Sequence, residues 1–151
     1  SFIPEAVAAF TDQDRERLMQ DAGIVRNKRK IDAVITNARA VIALRGALAA
    51  EADAHRAGRV GEAPLAQLLR PRQSYPRHLA ELAWLYQPRE HPLPKNAGEV
   101  PAQTEESRAL SLELKRRGFV FVGPVTALAL MSAIGIVNTD ILGTWKRPLT
   151  E

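Results

Sequence analysis

The residues best suited to chemistry form one run, Leu114-Lys115-Arg116-Arg117-Gly118-Phe119-Val120-Phe121-Val122-Gly123-Pro124-Val125-Thr126. A helix with Thr104 as N-cap and Glu105 and Glu106 in its first turn reaches the basic triplet and stops at Gly118, a residue that tolerates a left-handed cap. Four apolar residues then cross to Gly123. Pro124 follows at a natural first-turn position, and Val125 to Ile134 reads as a second helix whose opening N–H groups have no partner within it. Such an opening binds anions, and a glycine beside it lets a phosphate approach the backbone closely. The pattern is a helix-hairpin-helix over about residues 104–135. Its expected phosphate-contacting residues are Lys115, Arg116, Arg117, Gly118, Phe119, Val120, Phe121, Val122, Gly123 and Thr126. A tight helix-helix connection with dipole-compensating basic residues fits the same pattern, and the residues alone leave both readings open. A P-loop does not fit, because no Lys-Ser/Thr pair follows Gly123 and no apolar strand precedes Gly118.

These residues need a scaffold, and the composition says which kind. Stretches rich in Ala, Leu, Arg and Glu, few aromatics and apolar spacing of three and four predict an all-α fold. A chain of 151 residues is long enough for one domain, 1–151, with a real core. Lys and Arg outnumber Asp and Glu by 21 to 17, which suits a polyanionic partner without requiring one. The positive charges cluster at Arg26, Lys28, Arg29 and Lys30, at Lys115 to Arg117, and at Lys146 and Arg147. A fold that gathers them makes a phosphate-contacting face; otherwise they are three solvated helix ends. With no cysteine, disulfides and thiolate metal sites are excluded, and a cytoplasmic location is expected. No signal peptide or membrane-spanning run is expected, the longest apolar run, near Val125 to Ile136, being broken by Thr126, Ser132 and Gly135.

Along the chain, Pro4 to Phe10 reads as a short apolar helix. Thr11 and Asp14 form a capping pair for the next, which Gly23 should close. A long helix from about Lys28 to His55 carries Ile31, Val34, Ile35, Ala38, Val41, Ile42 and Leu48 at helical spacing, with Gly46 as a possible kink. Ser74 and Pro76 should open a short helix with Leu79, Leu82, Ala83 and Trp84 on a buried face. Pro88, Pro92, Pro94 and Pro101 forbid a continuous helix between Tyr86 and Thr104. His55, His78 and His91 share no ligand spacing, and Trp84 and Trp145 are expected in packing rather than base stacking.

Two blocks together carry a resemblance. Leu18-Met19-Gln20-Asp21-Ala22-Gly23-Ile24-Val25-Arg26-Asn27-Lys28-Arg29-Lys30-Ile31 with Asn37-Ala38-Arg39-Ala40, and Glu106-Ser107 through Val137-Asn138, resemble the DNA-3-methyladenine glycosylase I family of the helix-hairpin-helix superfamily. The resemblance runs the length of the chain, with a longer connection over Arg45 to Arg72. It implies excision of 3-methyladenine from double-stranded DNA: the damaged base is flipped out, and its N-glycosidic bond is hydrolysed to leave an abasic site. Methylation at N3 makes the base cationic and a good leaving group, so extrusion, stacking and attack by water suffice.

The resemblance also exposes departures. In the family the base-reading glutamate, most pocket aromatics and the residues that plug the duplex lie upstream of the position matching Ser1. A catalytically incomplete DNA-binding remnant and a helical protein-interaction domain are therefore the alternative readings. The family's C-terminal zinc ligands fall at Asp140 and Thr144; threonine cannot replace a thiolate, so no zinc or other cofactor is expected. Asn138 stands where related enzymes carry a catalytic aspartate, and Asp140 is the nearby carboxylate; these two are the candidate catalytic residues. Leu128 replaces an aromatic of the second hairpin helix. A monomer is expected, or a dimer if an uncovered apolar face remains on the Ile31 to Leu48 helix.

Overall fold

In a computed structural model, which describes residues 3–144, the chain is built from helices, with no sheet among the described residues. The α-helices are α1 (Pro4–Ala8), α2 (Asp12–Gln20), α3 (Lys28–Arg56), α4 (Leu79–Trp84), α5 (Glu105–Arg116) and α6 (Pro124–Ala133), with single 3₁₀ turns at Val60–Glu62, Ala66–Leu68 and Ala97–Glu99. The expected all-α class is what the structure shows.

α3 is the axis of the molecule. Its N-terminal half buries Ile31, Ile35 and Ala38 against Val7 of α1, with Phe10 and Leu18 alongside. Its C-terminal half buries Ala40, Leu44 and Leu48 in the main core, with Leu82 of α4, Leu110 and Leu114 of α5, and Leu128 and Met131 of α6. One 18-residue stretch of α3 has a mean hydropathy of 1.3, enough by length and composition to cross a membrane, contrary to the expectation that no run reaches that length. Ile31, Ile35, Ala38, Leu44 and Leu48 of this helix pack on the other helices. Val34 and Ile42, also on α3, remain exposed.

Local signals set most of the boundaries. Thr11 and Asp14 form a reciprocal capping box at α2, and Thr104 with Ser107 does the same at α5. α3 runs unbroken through Gly46, where no neighbour presses on the backbone. Two expectations need correction. α2 ends at Gln20 because Asp21 turns extended and accepts the Gly23 N–H, so Gly23 is not a left-handed cap. α4 starts later than Ser74: His78 caps it by accepting the Glu81 N–H, and the face it buries is Leu82 and Ala83, leaving Trp84 41% exposed.

Leu48 has no exposed surface and lies where α3 meets the rest of the main core. Leu48→Ala should lower unfolding stability by about 2–5 kcal/mol in a urea titration; a loss below about 1 kcal/mol would show that α3 is not the axis of the core.

Candidate nucleic-acid interface

α5 ends in a Schellman turn. Gly118 adopts φ +86°, its N–H bonds the Lys115 carbonyl at 3.0 Å, and the Phe119 N–H bonds the Leu114 carbonyl at 3.0 Å. The turn directs Phe119 into the core, where it is 5% exposed, and leaves Phe121 outside at 53%. This separates the two phenylalanines, which the sequence leaves equivalent. Phe121 itself has φ +58°, left-handed backbone that a bulky side chain adopts at a cost.

The chain then enters α6. Gly123 is its N-cap in extended conformation, without a side-chain cap, and Pro124 occupies the first turn. The N–H groups of Val125 and Thr126 have no hydrogen-bond partner among the described residues, and both residues are exposed. A Cβ added at Gly123 would meet nothing within 4 Å, so no internal packing requires glycine there. An uncapped helix start facing solvent is an anion-binding arrangement.

The three basic residues at the end of α5 point in different directions. Lys115 and Arg116 are exposed, Arg116 also lying 3.2 Å from Glu113. Arg117, expected on the phosphate face, is turned inward instead. Its side chain is 10% exposed, its two terminal nitrogens donate to Glu51 of α3 at 2.8 and 3.0 Å, and its Nε donates to Glu113 at 2.6 Å. Burial weakens its charge, but the hydrogen bonds and fields of Glu51 and Glu113 outweigh burial and hold the guanidinium firmly protonated. Three of its five N–H donors are thereby committed to carboxylates.

Another cation comes from the far side. The structure brings the start of α3 beside the hairpin, with the Arg29 guanidinium 5.8 Å from the centre of the Phe121 ring. Arg26, Lys28, Arg29 and Lys30 are all exposed there. Arg29 of that cluster therefore joins the hairpin, whereas Trp145, Lys146 and Arg147 lie outside the described residues. A further contact was not singled out in the sequence: Asn37, about two helical turns beyond Arg29 along α3, donates to the Val120 carbonyl at 3.1 Å and accepts the Val120 N–H at 2.8 Å. The two residues are 83 positions apart, and no local pattern pairs them.

At the other end of α6, the Asn138 N–H bonds His91 Nδ1 at 3.1 Å and the Asn138 side-chain oxygen accepts the Asp140 N–H at 2.9 Å. The Asn138 carboxamide is thus engaged in a local turn. Thr144 donates its hydroxyl to the Ile141 carbonyl at 2.8 Å. Asp140 and Thr144 offer one carboxylate and one engaged hydroxyl, a donor set unlike the nitrogen and thiolate ligands zinc favours. Leu128 is buried in the core. His55 packs against Tyr75, and His78 caps α4, so the three histidines serve separate contacts.

The fold and this face define an all-α helix-hairpin-helix protein. The family model for methyladenine glycosylase matches residues 1–56 and 65–147, and the chain belongs to that family. The unmatched residues 57–64 lie in the long connection after α3. DNA-3-methyladenine glycosylase 1 of Escherichia coli (strain K12) is 34% identical over 142 residues, covering 94% of this chain and 62% of that protein. DNA-3-methyladenine glycosylase of Haemophilus influenzae is 29% identical over 143 residues, covering 93% and 62%. A crystal structure of 3-methyladenine DNA glycosylase I superimposes with a TM-score of 0.71 at 30% identity, covering 97% of this chain and 66% of that one. This chain therefore spans 62% of the length of those two curated relatives.

Two predictions follow from the geometry. Gly118→Ala should destabilise the fold by about 1–2 kcal/mol, because alanine resists the left-handed conformation, whereas Gly123→Ala should leave thermal stability unchanged or slightly raised while weakening retention of DNA; equal melting temperatures for the two variants would contradict these assignments. Burial and the nearby Glu51 carboxylate push the Tyr75 hydroxyl well above its ordinary 10.0, and burial with nearby Glu113 pushes Tyr86 to about 12. An unfolded tyrosine ionises near 10, so stability should be intact below pH 10 and fall as pH rises through 10 toward 12 and beyond. Tyrosinate absorbance of the native chain should therefore lag that of the chain in denaturant; coincident titrations would contradict the burial of both hydroxyls.

Proposed function

We propose that the protein is a base-excision DNA glycosylase that removes 3-methyladenine, and that the described residues supply its grip on the DNA backbone. The observation that carries this reading is the uncapped start of α6, with Arg29 of α3 over Phe121 of the loop that leads into it and exposed Lys115 and Arg116 ending α5, in a member of the methyladenine glycosylase family. The Val125 and Thr126 N–H groups donate to phosphate oxygens, Gly123 lets the strand come close, and the lysine and arginines displace counterions. None of these contacts depends on base identity.

α6 has ten residues and spans about 15 Å, and Asn138 follows its far end. In this reading Asn138 is a polar contact near the sugar of the extruded nucleotide, and Asp140 is the carboxylate nearest to it in sequence. The cationic base needs little activation to leave: water adds to the sugar carbon and gives up a proton to solvent, the N-glycosidic bond breaks, and the bond electrons neutralise the departing base. The reading calls for no zinc and no redox cofactor, and one copy of the chain builds the grip.

The test is to incubate the protein with duplex DNA containing 3-methyladenine and to measure free base released alongside DNA retained. Release and retention are both expected. Charge reversal at Lys115 and Arg116 together should weaken retention and flatten its salt dependence by about 2 in log–log slope. Retention without release would keep the grip and remove excision. An unchanged affinity and slope in the charge-reversed variant would remove the DNA reading and favour a protein-interaction domain.

A further inference from the structure

The hairpin crosses between α5 and α6 with almost no regular backbone pairing of its own, yet its conformation is demanding. Phe121 holds a left-handed φ of +58°, and beyond it the chain must turn so that the Gly123 to Thr126 amides face outward. Only three non-glycine residues among those described have positive φ, and Phe121 is the one within the phosphate-facing loop. Conformations of this kind persist where surrounding contacts over-determine them.

Two such contacts are present. Ser111 of α5 donates its hydroxyl to the Val122 carbonyl, fixing the residue after Phe121. Asn37 of α3 grips the residue before it, with its amide NH₂ on the Val120 carbonyl and its amide oxygen on the Val120 N–H. The Asn37 side chain thus pairs with Val120 as a neighbouring strand would, satisfying donor and acceptor together. Eight residues earlier on the same rigid helix stands Arg29, whose guanidinium lies over the Phe121 ring.

We propose that Asn37 is a positioning residue for DNA binding: by clamping both sides of Val120 it holds Phe121 left-handed and fixes the outward aim of the α6 amides. It does so at a set distance from the basic start of α3. This inference rests on the DNA-holding reading above. Asn37 does not itself carry the charge that binds. Its contribution is geometric, and this distinguishes it from Lys115.

The test compares Asn37→Ala with Lys115→Ala in the full chain, using retention of an undamaged duplex over a range of salt concentrations and amide hydrogen exchange at Val120. Asn37→Ala places a good helix former within α3, so helix content and melting temperature provide a check that the fold persists. Loss of two hydrogen bonds at the clamp should weaken DNA binding about tenfold, leave the salt slope unchanged, and accelerate exchange at Val120. Lys115→Ala should lower the slope by about 1 and leave Val120 exchange as it was. Wild-type affinity in Asn37→Ala, with Val120 exchange accelerated, would overturn the inference, as would a loss of affinity accompanied by a flatter slope. If the wild-type chain retains no DNA at low salt, the DNA reading itself fails before any substitution is made, and the inference falls with it.

Discussion

The position of the hairpin depends on the ionic joint at Arg117. Its guanidinium bridges Glu51 of α3 and Glu113 of α5, and the Glu51 carboxylate also accepts the Tyr75 hydroxyl at 2.7 Å, drawing the loop before α4 into the same knot. Removing these charges from water is costly, so such a cluster adds little net stability relative to apolar packing of the same volume. Its effect here is on register. Fork-to-carboxylate geometry is satisfied in one alignment, and a slip of α5 by one turn, about 5.4 Å, would carry Arg117 away from Glu51. Whatever the hairpin binds, it meets at an angle set by this joint.

That constraint also redistributes charge. Successive residues on a helix point about a hundred degrees apart, so anchoring Arg117 inward turns Lys115 and Arg116 toward solvent. The outward face loses one cation from the triplet and gains others from α3, whose first turn arrives on the opposite side of Phe121. Phosphates approaching the α6 amides would meet positive charge from two elements distant in sequence. Both helix starts contribute partial positive charge to the same region, although Asn27 caps the Lys30 N–H and thereby quiets the start of α3.

How much of this was legible in the sequence follows from the range of each interaction. The caps at Thr11 and Thr104, the left-handed Gly118 and the uncapped start at Pro124 are local, and residue types within four positions specify them. The length of α3 was legible from its periodicity. The inward turn of Arg117 was not, because its partner Glu51 is 66 positions away and a basic residue ending a helix ordinarily faces solvent. The Asn37 clamp was hidden for the same reason; a lone asparagine in a helix carries no pattern that names Val120. Trp84 misled through its type: its helix is only six residues long, too short to bury a full face, and the core is filled by Leu82 and Ala83.

A grip of this design has a consequence for selectivity. Backbone N–H groups at a helix start and exposed lysine and arginine side chains recognise phosphate, which is the same at every nucleotide. A protein holding DNA this way can move along the duplex and sample it without preference for sequence. In the proposed function, choice of a methylated base arises from a different term, the weakened pairing and stacking of the damaged nucleotide and whatever receives it once extruded. The described residues follow this division. Phe119 and Leu128 are committed to the core, and Asn138 is engaged in a local turn. Phe121, the exposed aromatic at the hairpin, is fixed in its backbone by contacts on either side and lies under Arg29. Rigidity at that point favours a constant backbone grip over accommodation of varied bases, because a reader of bases would need side chains free to adapt and this loop is held at every second residue.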